Sequence, residues 1–218
     1  KKSYNEIKNI LKYLNNKYYR NFNLPPDGAE GIKSRGHREY IGGHWELIGD
    51  LQKRFLINQG LKKKHKILDI GCGSLRLGVK LIPLLNKGCY FGVDKEPLLI
   101  EAGIEKEISK KLIQLKKPKF LVSDNFNFNE IIQRVDFAIA QSLFTHLPEN
   151  LINLCFKNLH KVLMKNGKFF ATFHLVKNEL NNPVMPHSFG FFGYTKTEIK
   201  KFGENNLFKA NIVGDWGH

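Results

Sequence analysis

The chain has 218 residues, 42% of them hydrophobic, and a formal net charge of +15 from Lys+Arg 35 against Asp+Glu 20. That size and composition fit one domain, or one domain with an appendage, and exclude a disordered or low-complexity chain. No apolar run approaches the ~20 residues of a membrane helix, and no signal-peptide pattern opens the chain. Cys72, Cys89 and Cys155 are odd in number and lack CxxC spacing, so free thiols in a reducing, cytoplasmic setting are expected. The positive charge invites a nucleic-acid reading, but only six of the basic residues are arginine and the lysines are spread along apparent helix surfaces. A solvated basic surface is the expectation, and a nucleic-acid partner is not.

In chain order, residues 3–20 carry Ile7, Ile10, Leu11 and Leu14 on one helical face. Residues 23–43 are dense in Pro and Gly and read as a long loop. A helical period resumes through Trp45, Ile48, Leu51 and Phe55, with Gly60 placed to cap it. Strands are then expected at 66–70, 89–93, 119–122, 135–140, 168–174 and 209–213. Helices are expected at 76–85, 97–113, 127–133, 149–164 and 195–204. Continuous apolar strands such as "FAIA" belong to a parallel sheet covered on both faces. The alternation predicts an α/β, Rossmann-like doubly wound sheet, whose ligands sit beyond the carboxyl ends of the strands.

"ILDIGCGSLRLG" (67–78) turns sharply from strand to helix through Gly71 and Gly73. A dinucleotide fingerprint would place a third glycine where Arg76 stands, and a phosphate-binding P-loop would need Gly-Lys-Ser/Thr. Neither is present. The turn instead has an acid two residues before its first glycine, Asp69, and another at the end of the next strand, Asp94. Glycines allow close backbone approach, and a carboxylate such as Asp94 can accept from two ribose hydroxyls. Asp69 favours a cationic amino group.

Across residues 44–218 the chain resembles the class I S-adenosylmethionine-dependent methyltransferases. By that resemblance "LDIGCG" is the cofactor turn, contributing Asp69, Gly71, Cys72 and Gly73, and "GVDKE" carries the ribose acid Asp94 beside Lys95. "VSDNF" places Asp124, next to Asn125, near the adenine amino group. "IAQSLFTHLP" sets Gln141 and Ser142 beside the methionyl part, and "LMKNGKFFATF" leads into the fifth strand. One departure is Leu75, where many relatives have a third glycine. The next residue, Arg76, reads either as a bidentate partner of the methionine carboxylate or as a solvent-facing first-turn residue.

Methyl transfer from a sulfonium is an in-line displacement, so positioning dominates. "QSLF" stands where base-amine methyltransferases carry an NPPY-like segment, and no cysteine sits directly after strand four or in a Pro-Cys pair for thiolate chemistry. A small-molecule oxygen acceptor is therefore expected. His146 in "FTHLP" is the first candidate base and His174, at the end of strand five, the second. His187, in the aromatic loop "MPHSFGFFGY", is a candidate acceptor contact. The polar stretch 34–45, with Arg38, Tyr40 and His44, reads as a lid able to clamp an anionic group. A sugar or phosphate-type group for bacterial surface polysaccharide is the leading expectation; an RNA methyltransferase and a non-catalytic cofactor-binding subunit are the alternatives.

The expected organisation is an N-terminal helix and lid-like loop over 1–43, then a methyltransferase domain over 44–218. The resemblance also implies a seventh, antiparallel strand, which would lie beyond His218.

Overall fold

The computed structural model describes residues 24–130 and 134–215, so the expected helix over 3–20 lies outside the described residues. Five parallel strands form the sheet, in the order β3-β2-β1-β4-β5. They are β1 (Ile67–Ile70), β2 (Tyr90–Asp94), β3 (Lys119–Val122), β4 (Val135–Ala140) and β5 (Leu163–Ala171). The order reverses between β1 and β4, which opens a crevice at their carboxyl ends.

Alternate side chains feed opposite faces. Leu68, Ile70, Ala138 and Ala140 join one buried cluster with Phe144, Ile152 and Phe156. Ile67, Phe137, Ile139 and Tyr90 join the other with Leu56, Leu75 and Leu81. Helix α7 (Glu149–Val162) covers the first face with Ile152, Cys155, Phe156, Leu159 and Val162, an i, i+3, i+4 stripe. Helix α3 (Trp45–Asn58) covers the second, and Gly60 follows it at φ +98°. Among the described residues, no helix is long and apolar enough to cross a membrane.

Several expectations need correction. The stretch 23–43 holds two helices, α1 (Gly28–Arg35) and α2 (His37–Tyr40). Asp27 caps α1 and Gly36 ends it at φ +80°, while Ile32 and Tyr40 bury against Leu99. The helix after β1 shrinks to α4 (Gly78–Leu81), delayed by Leu75 at φ +70° and succeeded by turns through Pro83. The stretch 97–113 breaks into α5 (Pro97–Ala102), a π-helical turn (Gly103–Glu107) and α6 (Lys110–Lys116), because Ser109 caps a new helix. Gly103 packs so closely on the cofactor-type turn that a Cβ there would lie 2.6 Å from Leu75 Cγ.

Residues 127–130 are not helical: the Asn125 and Asn127 side chains accept from the N–H groups two residues on, in competition with helix bonds. Residues 131–133 lie outside the described residues. After β5 the chain leaves the sheet, and His174 opens a two-residue strand, β6 (His174–Leu175), paired with β7 (Gly193–Tyr194). Helix α8 (Lys196–Glu204) follows, with a Thr195–Glu198 capping box. Residues 209–213 form no strand; with no ladder partner, Ile212 and Val213 are exposed. The lysines are not confined to helix faces either, since many sit in segments leading into strands.

Candidate active site

The turn after β1 is fastened to the end of β2. Gly71 N–H and Cys72 N–H both donate to Val93 O, at 2.8 and 3.0 Å. Gly71 and Gly73 take φ of +72° and +53°, conformations natural to glycine. Gly73 N–H donates to Asp94 Oδ2 (2.8 Å), and Glu96 N–H to Asp94 Oδ1 (2.9 Å). Asp94 thus braces the turn and the start of α5 while each oxygen keeps acceptor capacity. Burial pushes its carboxyl up, and the two N–H groups pull the other way. Leu75 occupies a left-handed conformation that costs an L residue roughly 1–2 kcal/mol. Its complete burial offsets that cost.

Asp69 lies wholly inside, accepting from Tyr90 OH at 2.6 Å. Burial pushes its pKa up to about 7, against the Tyr90 hydrogen bond and Arg76, with Asp94 adding to the rise. Cys72 is buried, and burial drives its thiol well above the ordinary range, so it stays protonated.

Arg76 is only 8% exposed, which corrects the solvent-facing alternative. Its Nη1 donates to Gly43 O (2.9 Å) and Ile41 O (3.3 Å), and Nη2 to Gln141 Oε1 (2.9 Å). Gln52 donates to the same oxygen, and Gln141 Nε2 donates to Ser142 Oγ. One buried network therefore joins the N-terminal segment, the glycine turn and the end of β4. Ser142, at φ +54°, donates its N–H to Thr172 Oγ1 at 2.7 Å.

The segment 27–43 is pinned over this edge. Arg38 makes two bonds to Glu107 (2.8 and 2.6 Å) and stacks on Trp45, while His37 meets Glu107 at 2.6 Å. Tyr40 OH donates to Asp27 Oδ1 (2.6 Å), lies 3.0 Å from the Ser188 hydroxyl, and accepts from Gly28 N–H. Asp27 is held at about 2: burial opposes ionisation, but Lys95, Ser188, Tyr40 and Gly28 N–H outweigh it. Ile41 reaches the space above Gly73, and Leu143 the space above Gly71, within 3.0 and 3.1 Å of where a Cβ would stand. His44 is exposed at the start of α3, at φ +45°.

Beyond β2 and β3, Lys95, Ser123, Asp124 and Asn125 line an open cavity of about 360 Å³. A second, of about 300 Å³, flanks it along β3. Beyond β4 and β5 the three candidate histidines converge. His146 Nδ1 meets Gly190 O at 2.8 Å, and His146 O accepts from His187 N–H. His174 stacks on Phe191 with ring centroids 4.6 Å apart. Burial holds His146 below the usual imidazole range despite the Gly190 carbonyl, and His174 and His187 also press it down. Burial lowers His174 and His187 as well.

A family model described as "Methyltransferase domain" matches residues 61–204, which include the glycine turn, Asp94 and the end of β4. The chain is an S-adenosylmethionine-dependent methyltransferase of class I. Its fold is similar to magnesium protoporphyrin IX methyltransferase from Synechocystis PCC 6803 with bound SAM, at 15% identity and TM-score 0.59 over 90% of this chain and 85% of that one. The same protein with bound SAH gives 14%, 0.61, 93% and 92%. A SAM-dependent methyltransferase from Methanosarcina mazei gives 18%, 0.50, 69% and 82%.

The residues of this methyltransferase fit the family's cofactor: positive-φ glycines, a braced acid at the end of β2 and an open polar cavity beyond β3 stand along one edge. Sequence reasoning missed Tyr90, Gln52, Glu107, Asp27 and Ser188, all of which fasten the site. Asp27 carried one signal, an acid directly before a glycine-led helix. The others are defined by partners far away in the chain.

Proposed function

We propose that this methyltransferase transfers a methyl group to an oxygen of a small polar or anionic acceptor, a sugar or phosphate-type group, with His146 as general base where that oxygen is a hydroxyl; an ionised phosphate oxygen needs none. The observation that carries the reading is the bond from His146 Nδ1 to the Gly190 carbonyl. A carbonyl only accepts, so Nδ1 holds the proton and Nε2 keeps its lone pair. Burial keeps the ring neutral near pH 7, the state a base requires.

In this reading Asp94 takes the ribose hydroxyls and Asp69 the amino group. The Gly71–Gly73 turn, with Cys72, lies along the methionyl tail beside Gln141 and Ser142. Lys95, Asp124 and Asn125 border the adenosine end. The cofactor, when bound, supplies an electrophilic methyl on sulfur. His146 Nε2 takes the acceptor's hydroxyl proton as the oxygen becomes a nucleophile. His174 and His187 flank the acceptor, and His44 borders it from the lid. Arg76, Arg38 and Tyr40 act through the lid: they hold Ile41 over the glycines, where its side chain helps to exclude water. Such a lid has to lift for the cofactor to enter.

Small-molecule extracts incubated with the enzyme and methyl-labelled S-adenosylmethionine test this by mass spectrometry. The expected product is heavier by one methyl, carried on oxygen. Label found only on RNA, or no label transferred to any extract component, contradicts the reading.

A further inference from the structure

We infer that the edge of the sheet opposite the active site is a docking surface for an anionic lipid bilayer. Because all five strands are parallel, every segment leading into a strand ends on one edge. "KKKHK" (62–66) leads into β1, Lys87 into β2, Lys116 and Lys117 into β3, Arg134 into β4, and Lys161 into β5. Lys168, in β5, donates to Gln59 O at the end of α3, which draws that corner onto the same edge. The lysines are far apart in the chain, and parallel topology alone gathers them.

Little negative charge answers them. The acid beside them is Asp136, in β4, which accepts from the Lys66 N–H, and the connection before β4 carries Glu130. Among the described residues, the ion pairs lie elsewhere, around Asp27, Glu46, Asp50, Glu96 and Glu107. At the carboxyl edge, by contrast, acids are present and partly paired: Asp94, Glu96 and Asp124 stand there, with Lys95 bonded to Glu96.

The chemistry of the basic edge selects lipid over nucleic acid. Its cations are almost all lysines, whereas RNA sites rely on arginine and on exposed aromatic rings. The aromatic candidate here, His65, is already stacked on Phe137. What the edge exposes instead are aliphatic side chains: Ile57 at 41%, Leu115 at 61% and Met164 at 45%. Lysines interspersed with exposed apolar groups suit an anionic headgroup layer. Docked in this way, the methyltransferase site faces the aqueous side.

Co-sedimentation of the full chain with vesicles tests the proposal. Binding is expected to phosphatidylglycerol–phosphatidylcholine vesicles, not to phosphatidylcholine alone, and is expected to be lost in high salt. The exposed triple variant Lys62→Glu, Lys63→Glu, Lys64→Glu is expected to lower partitioning by about a hundredfold while cofactor affinity stays unchanged. The control Lys157→Glu, Lys200→Glu, Lys201→Glu alters charge equally, on α7 and α8, and is expected to change partitioning about twofold at most. No vesicle binding, equal binding to neutral vesicles, or an equal loss in the control overturns the proposal. So does RNA that binds in preference to vesicles and loses its binding in the first triple variant.

Discussion

The half of the carboxyl edge that we assign to the cofactor and the half that we assign to the acceptor are built differently. Around β1 and β2 the functional groups are held by the main chain: Val93 O takes two turn amides, and Asp94 takes two more. Around β4 and β5 they are held by contacts between loops, His146 on Gly190 and Tyr40 on Asp27 and Ser188. The first arrangement joins two neighbouring strand ends, 71–73 and 93–96, through backbone amides. The second depends on how segments from three parts of the chain meet.

The largest separation of the halves is expected from Asp94→Ala and His146→Ala. In our reading, Asp94→Ala removes charged acceptors for the ribose hydroxyls at about 1.5–3 kcal/mol each, so cofactor affinity falls by a hundredfold or more. Calorimetric titration giving wild-type affinity would remove Asp94 from the cofactor site. His146→Ala is expected to lower kcat by about 10²-fold or more while cofactor affinity stays within about twofold. If the product is identified and turnover survives this substitution, the base lies elsewhere.

Protonation of Asp69 gives the next effect. Its folded pKa, about 7, lies above the ordinary 3.8, so the folded state favours the protonated acid. Stability from this group is complete below pH about 4 and declines as pH rises toward 7. A cationic amino group needs the ionised form, so cofactor binding should release a proton and weaken below pH 7, by up to about tenfold per unit. Affinity flat between about pH 5.5 and 8 would separate Asp69 from the amino group.

The smallest effect concerns the join between the halves. Tyr40→Phe deletes a hydroxyl bonded to Asp27, Ser188 and Gly28 N–H, at a cost of about 1–3 kcal/mol. Faster amide exchange at both 37–43 and 187–190 is expected. Exchange that rises in neither segment would show that the lid is held without Tyr40.

The same contrast explains what the sequence could convey. The boundaries of β1 to β4 fall within a residue of expectation: the buried strands β1, β2 and β4 are mostly apolar runs, and β3, at the sheet edge and only partly buried, is a short one. Asp69, Gly71, Gly73 and Asp94 were legible as candidates because they lie in or at the end of apolar runs; that Asp94 braces a turn 21 residues earlier does not show in those runs. Helix α1 was not legible, since GAEGIKSR buries only Gly31 and Ile32 and is stabilised by Asp27 and by packing on Leu99. Leu75 was recognisable as a departure, but its left-handed backbone and the close approach of Gly103 were not. His146 could be suspected from its place after β4. That Gly190 fixes its tautomer, 44 residues on, could not be read from residue types.

Hydrogen exchange of the full chain with and without S-adenosylmethionine tests the division most directly. The account predicts protection of 69–76, 94–97 and the lid 37–43, with 187–192 nearly unchanged until an acceptor is added. Protection confined to 187–192, or absent from 69–76, would contradict it.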